Sequence, residues 1–440
     1  MPPGINAGDT AWMLTSTALV LFMTIGLGLF YAGMVQAKNA LNTFMHSFVA
    51  MALVGVLWWA FVYSLAFGPD HFHLIGGLDW IGFRGVGLTP NAGLAPTIPH
   101  TVFAMFQLMF AIITPALISG AYAERMKFSS YLVFTSLWLV LIYAPLAHMV
   151  WAPGGFLRNL GALDFAGGTV VHMNAGLAGV AAALMLGRRK HHVEEGQEPR
   201  PHNLMLTLLG AGILWFGWYG FNAGSALSAG ASAANAFTTT TLATCAAVLG
   251  WLAVDGIRKP HKATALGAAS GAVAGLVAIT PACGFVGPGG AVAIGLLAGS
   301  VCAYAVKLKD LIHLDDALDT GGVHFVGGLL GALLIGVFAA KGFNPAGADG
   351  LLSGGGLTQM VKQLAAVGVT IGFSFLGSLT VLWVTKKITR GLRVPEEHEK
   401  LGLAAAEHGE HDYHLPYVPA AAAARNGSRG SHLAGVATDS

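Results

Sequence analysis

An all-α integral membrane protein is what this sequence predicts, and three observations predict it. Charged residues make up 10% of the 440-residue chain and hydrophobic residues 55%, whereas a soluble domain carries about 25% charged residues. The mean hydropathy is +0.65. The apolar residues also fall in long runs free of Asp, Glu, Lys and Arg, and about 20 such residues cross a bilayer as one helix.

Seven runs are sized for one helix each: residues 10–37, 39–69, 85–123, 128–157, 165–187, 320–340 and 363–385. Two more, 201–254 and 263–306, are too long for a single span. The first is interrupted by FNAGSALSAGASAAN and the second by TPACGFVGPGG, both rich in turn residues, so each reads as two helices. The expected count is therefore eleven, and an odd count puts the termini on opposite sides. With the N-terminus outside, every Lys and Arg except Arg84, Arg158, Lys341 and Lys362 falls on the inner side, as the positive-inside rule requires. Residues 1–390 then form the membrane domain. Residues 391–440 form a cytoplasmic tail, expected to be disordered from about residue 419, where Ala, Gly and Ser dominate.

Other features exclude rather than assign. A net charge of +2 gives no footing for nucleic acid. Cys245, Cys283 and Cys302 lie in apolar stretches without ligand spacing and read as packing residues. The opening MPPGINAGDTAW lacks the basic region of a signal peptide, so either the first helix inserts directly or a leader has been removed. The 61 glycines suit close helix packing in lipid.

Two segments resemble each other. Asp164 opens DFAGGTVVH, ending at His172 and followed by Gly176 and Gly179; Asp319 opens DTGGVH, ending at His324 and followed by Gly327, Gly328 and Gly331. They fall on the fifth and tenth expected helices, which run in opposite directions. An inverted repeat with its functional site between the halves is the expectation, although the Asp-to-His spacing differs by three residues.

Ionisable groups inside spans are functional candidates by default. His172 and His324 suit three roles: pore lining, metal ligation, or axial ligation of a haem. No Cys, Asp or Glu stands near them at the spacing of a metal site. His46 and His148 read as buried structural hydrogen-bonders. Phe106 and Phe110, four residues apart, share one helix face. Phe106, Trp151 and Ser225 fall toward the outer side, where an aromatic cage with one hydroxyl suits a small cation.

With these residues in view, the chain resembles the ammonium transporter (Amt/Mep/Rh) family, on its bacterial and archaeal Amt side, over residues 10–415. The stretches that carry the likeness are GLGLFYAGMV, ERMKFSS, AHMVW, GALDFAGGTVVHMNAG, GWYGFNAGSA, GLVAITPACGFVG and GLRVPEE. The resemblance implies a non-enzyme without cofactor: an eleven-helix fold with an inverted five-helix repeat, a homotrimer with one pore per subunit, and ammonium or ammonia as cargo across the inner membrane. It implies that Phe106, Trp151 and Ser225 recruit the cation and that Phe110 and Phe221 close the pore beneath. His172 and His324 would line the lumen, with Tyr31, Trp218 and Thr280 along the path and Asp164 as a structural and electrostatic group below the cage. It further implies a tail packed on the inner face and a PII-type signal protein as partner there, with Arg188, Arg258, Asp315 and Asp316 among the docking groups. Arg393 is expected to meet the carbonyls at the end of the last helix. Thr320 and Gly321 depart from the family's bulkier apolar residues, which suggests a wider inner vestibule. The competing functions are a haem-bearing oxidoreductase, a carbon dioxide channel like some Rh relatives, and an ammonium sensor.

Overall fold

The computed structural model of the chain describes residues 4–190, 201–258 and 261–410. The part of the tail expected to be disordered lies outside these residues. Among the described residues ten helices are long and apolar enough to cross a membrane: α1 (Ala7–Met34), α2 (Ala37–Phe67), α3 (His100–Tyr122), α4 (Phe128–Leu160), α5 (Gly168–Leu186), α6 (Leu204–Gly224), α7 (Ala231–Ile257), α9 (Pro288–Leu311), α10 (Gly321–Phe338) and α11 (Thr358–Ile388). Between α7 and α9 lies a shorter apolar helix, α8 (Ala265–Ile279). The run 263–306 therefore holds two helices, broken at the Thr280–Gly287 turn, and the run 201–254 breaks between Gly224 and Ala231. Two short helices follow, α12 (Glu396–Leu401) and α13 (Leu403–His408). Asp70–His71 (β1) and Ile75–Gly76 (β2) form a two-stranded antiparallel hairpin between α2 and α3.

The amphipathic stripe of a soluble helix is missing because both surroundings are apolar. What separates the faces is size and polarity. α3 and α5 are mostly buried, and their inward faces carry Thr114, Ser119, Thr169, His172 and Asn174. Leu209, Phe216, Leu249, Leu364 and Trp383 are exposed on the outer faces of α6, α7 and α11. Cys283 and Cys302 pack in the interior as expected, while Cys245 sits on the exposed face of α7.

Four helices carry a π-helical turn: Trp58–Val62 in α2, Leu139–Tyr143 in α4, Gly168–Met173 in α5 and Gly321–Phe325 in α10. The last two contain His172 and His324. α5 and α10 approach so closely there that a Cβ on Gly176 would collide with the Phe325 backbone, and one on Gly328 would crowd Gly168 and His172.

At the Arg-rich end the helices are clamped by a buried ion cluster. Arg189 donates from Nη1 to Glu124 (2.6 Å) and from Nε and Nη2 to Asp315 (2.9 and 2.8 Å). Glu124, at φ +70°, also accepts from the Gln36 amide and Asn39 Nδ2. Arg125 donates to the carbonyls of Gly187 and Asp315. The tail is tied to the same end. Arg393 pairs with Glu399 and donates to the carbonyls of Leu186 and Arg188, so the helix end it serves belongs to α5, not to the last helix. The Leu403 amide donates to Asn39 Oδ1, and the Phe128 amide to Glu407.

This cluster corrects one expectation. Asp315 and Asp316 are buried and already bonded, because desolvated carboxylates need cations or N–H donors. They are not surface groups for a docking partner; Arg188 remains exposed.

Burial alone would raise the Glu124 and Asp315 carboxyls, yet Arg189 and the surrounding donors hold both below the usual carboxylate range. Groups with depressed pKa stabilise the fold above their unfolded pKa, about 4, and that contribution disappears as pH falls through the folded value. The difference in melting temperature between the detergent-purified parent and a variant lacking the Arg189 cation is therefore expected to hold above about pH 5 and to shrink below about pH 4. Arg189→Met leaves two buried carboxylates without their cation and should cost about 3–5 kcal/mol. A substitution that leaves the melting curve unmoved would show that the cluster does not clamp the helices.

Candidate functional site

The candidate site is built from rings. Phe106 and Phe110 project from α3, Trp151 from α4, His172 from α5, Trp218 and Phe221 from α6 and His324 from α10. A cavity of about 250 Å³ at the α3–α4–α6 end is lined by Phe103, Gln107, Phe110, Trp151, Asp164 and Ser225, among others. Trp151 is fixed there by its indole N–H, which donates to the Asp164 carbonyl (3.0 Å), and Ser225 donates to Phe221 O (2.8 Å). Phe106 does not line this cavity: it is fully buried and meets Phe110 edge-on at 5.0 Å. Arg158 does line it, with Nη1 on the Trp151 carbonyl.

The rings then continue inward. Phe110 lies 4.3 Å from Phe221 between centroids, Phe221 lies 5.9 Å from His172, and His172 lies 5.6 Å from His324 with the imidazole planes 15° apart. Trp218 stacks on His172 at 5.4 Å and 18°, and its N–H donates to Thr280 Oγ1 (2.9 Å). Thr280 supports that ring from a buried position. A narrow cavity lined by Leu27, Ile113, His172, Trp218, Phe221 and His324 contains the pair. Neither nitrogen of His172, nor Nδ1 of His324, has a hydrogen-bond partner among the described residues. Buried polar atoms of this kind require an explanation, and a polar guest in this cavity would supply one. A third cavity, beyond His324, is lined by Tyr31, Met34, Ser270, Asp319 and His324. Thr320 and Gly321 do not line it; both are buried.

His148 matches the structural reading: its ring nitrogens lie 3.1 Å from Ala66 O and 2.9 Å from Asp70 Oδ1. His46 does not, since neither of its ring nitrogens has a partner among the described residues.

The helix starts beneath the two histidines are held alike. Asp164 Oδ1 accepts from the amides of Gly167 and Gly168, and Oδ2 from the amide and hydroxyl of Thr169 and the amide of Val170. The corresponding cap on α10 is Asp316, whose carboxylate accepts from the amides of Thr320 and Gly321. The Asp319 that the sequence comparison paired with Asp164 is not the cap. Asp316 stands as far before His324 as Asp164 does before His172, which removes the three-residue discrepancy. The eight-residue spacing was the available signal; the adjacent Asp-Thr-Gly-Gly concealed it. Burial, together with Asp319, pushes the Asp316 carboxyl up to about 6 despite Lys309 nearby.

Among the described residues no group of three or more His, Cys, Asp or Glu is arranged to hold a metal.

The ammonium transporter family model matches residues 11–413. The chain belongs to the ammonium transporter family. It is 48% identical to an ammonium transporter of Bacillus subtilis, over 93% of this chain and 99% of the relative. The crystal structure of Candida albicans Mep2 superposes with a TM-score of 0.85 at 33% identity, covering 95% of each chain. A structure described as a sensor Amt protein superposes at 0.82 with 30% identity, over 91% of this chain and 98% of that one.

Asp164→Ala strips the acceptor from four backbone amides and should cost about 2 kcal/mol or more. Asp164→Asn keeps one acceptor oxygen and should cost less. Equal losses in the melting temperatures of the two variants would show that the charge, not the cap, matters there.

Proposed function

We propose that this protein moves ammonium across the cytoplasmic membrane by taking up the cation at the Trp151 cavity and passing neutral ammonia along the His172–His324 lumen. The observation that carries the proposal is the continuous series of rings from Trp151 and Phe110 through Phe221 to the paired imidazoles. In this reading α8 completes eleven spans, the two Asp-capped, His-bearing helices belong to inverted halves, and the N-terminus lies outside. The chain works as a homotrimer, and its packed tail lies on the cytoplasmic face where a PII-type protein docks.

The physics favours deprotonation. A desolvated cation–π contact contributes about 2 kcal/mol, while a fixed charge at the bilayer centre costs about 2.5–3.5 kcal/mol even on the lenient scale. The cage therefore offsets only part of the desolvation, and shedding a proton before the narrow lumen is the easier route. Ammonium and potassium are alike in charge and size, but only ammonium donates hydrogen bonds and gives up a proton. Ammonia that has lost its proton then bonds to the imidazoles, each a donor and an acceptor when neutral. The imidazole pair also offers the released proton a parallel way inward. Asp164 acts as helix cap and negative potential rather than as proton acceptor, because its oxygens already take five donors. A neutral gas such as carbon dioxide has no use for the aromatic cavity.

The reading is tested by uptake of labelled methylammonium into a transporter-deficient strain expressing the chain. Saturable uptake that ammonium suppresses is expected, and no uptake from well-expressed protein would refute it. In the same assay Trp151→Leu keeps bulk but removes the strongest cation–π surface. Discrimination between ammonium and methylammonium should weaken about tenfold, the equivalent of ~1.4 kcal/mol; unchanged competition would argue against a cage at Trp151. His172→Glu or His324→Glu puts a fixed acid in the lumen and should admit potassium, measured as a potassium leak from proteoliposomes. Tight vesicles with either variant would separate the imidazoles from ion exclusion.

A further inference from the structure

Lys309, near the end of α9, is almost fully buried, and its Nζ lies 2.7 Å from Asp319 Oδ1 and 3.1 Å from the Asp316 carbonyl. A lysine head is itself an ammonium group on a tether, with three N–H donors and no acceptor. Asp319 is held at φ +59°, a left-handed backbone that non-glycine residues adopt only under constraint. A turn bond from its amide to Asp316 O supports that conformation. Asp319 also lines the third cavity, together with His324 and Tyr31. One carboxylate thus stands between the last imidazole of the lumen and an ammonium head supplied by the chain itself.

We propose that Asp319 and the Asp316 carbonyl form an ammonium-binding site at the inner end of the pore, and that Lys309 is a tethered competitor for it. The proposal rests on the transport reading above. The geometry already accommodates an R–NH3+ group, so the substrate's chemistry is matched atom for atom at the contact. The neighbouring charges are otherwise engaged: Asp316 caps α10 and Asp315 is paired with Arg189. A tethered group competes at an effective concentration in the millimolar range. Ammonia that has crossed the lumen and taken up a proton at the inner end therefore leaves the site quickly as ammonium, because Lys309 returns to Asp319. Ammonium accumulating inside to millimolar levels displaces Lys309, holds the site and slows further passage.

The test measures labelled methylammonium transport from each face separately, using intact cells for the outer face and inside-out membrane vesicles for the inner face. If Lys309 occupies the site most of the time, Lys309→Met should lower the inner-face KM about three- to tenfold, since apparent affinity scales with the available fraction. The outer-face KM should stay as it is, which also reports that the variant is folded. Lys309→Arg should resemble the parent, and Lys309→Met combined with Asp319→Asn should lose the gain. Asp319→Asn alone should raise the inner-face KM, and it carries the test if Lys309→Met does not accumulate in the membrane. An inner-face KM that ignores both substitutions, or equal shifts at both faces, overturns the proposal. Absence of transport by the parent in both preparations would instead refute the transport reading itself.

Discussion

A helix that begins inside an apolar body exposes backbone N–H groups to surroundings that offer no water, and each such group needs an acceptor. The carboxylates of Asp164 and Asp316 meet that need for α5 and α10. The rest of the ring series depends on it. With the two helix starts pinned, His172 and His324 face each other, Gly176 and Gly328 let the helices close, and Trp151 finds the Asp164 carbonyl for its indole. The negative charge at each helix start also suits the positive end of the helix dipole, so structural and electrostatic demands agree at one residue.

Much of this was readable in the sequence because lipid imposes a coarse rule. Uncharged runs of the right length became the long helices, and the two overlong runs broke where turn residues clustered. The twin histidines and the Phe106–Trp151–Ser225 group came from polar or aromatic residues standing out against an apolar background, and the pairing of Phe110 with Phe221 came from the family resemblance. What escaped depends on the third dimension. Asp319 is the residue the sequence pairs with Asp164, because adjacency to the Gly pair outweighs spacing, whereas the cap on α10 is Asp316. Asp315 and Asp316 looked like surface charges, because nothing in the sequence says that Arg189 and two helix amides bury them. Arg393 was matched to the helix nearest in sequence, whereas its carbonyls come from a helix more than two hundred residues earlier. Phe106 shares a helix face with Phe110, yet one ring lines the cavity and the other supports it.

The ion cluster joins parts that sequence treats as separate. Leu403 of the tail bonds Asn39, Asn39 bonds Glu124, Glu124 pairs with Arg189, and Arg189 pairs with Asp315, the neighbour of the α10 cap. Each link is buried or half-buried, and those through Glu124, Arg189 and Asp315 are charge-assisted, which makes them more demanding in geometry than a surface pair. The start of the tail and the start of α10 are thus joined through one bonded network.

The π-helical turns at Gly168–Met173 and Gly321–Phe325 have a consequence for how such a chain can change over time. A π turn accommodates one residue more than the α-helical turn that would replace it. Deleting that extra residue would restore regular winding with both flanks of the helix still in phase, but it would remove the wide turn from which His172 or His324 projects. One imidazole would then leave its partner, while the hydrophobic length of the helix hardly changed. Selection that sees only membrane insertion would accept such a deletion, and selection that sees the paired rings would not. The length of these two turns is therefore a place where ancestry is constrained by chemistry rather than by folding, in contrast to the loops, which absorb insertions freely.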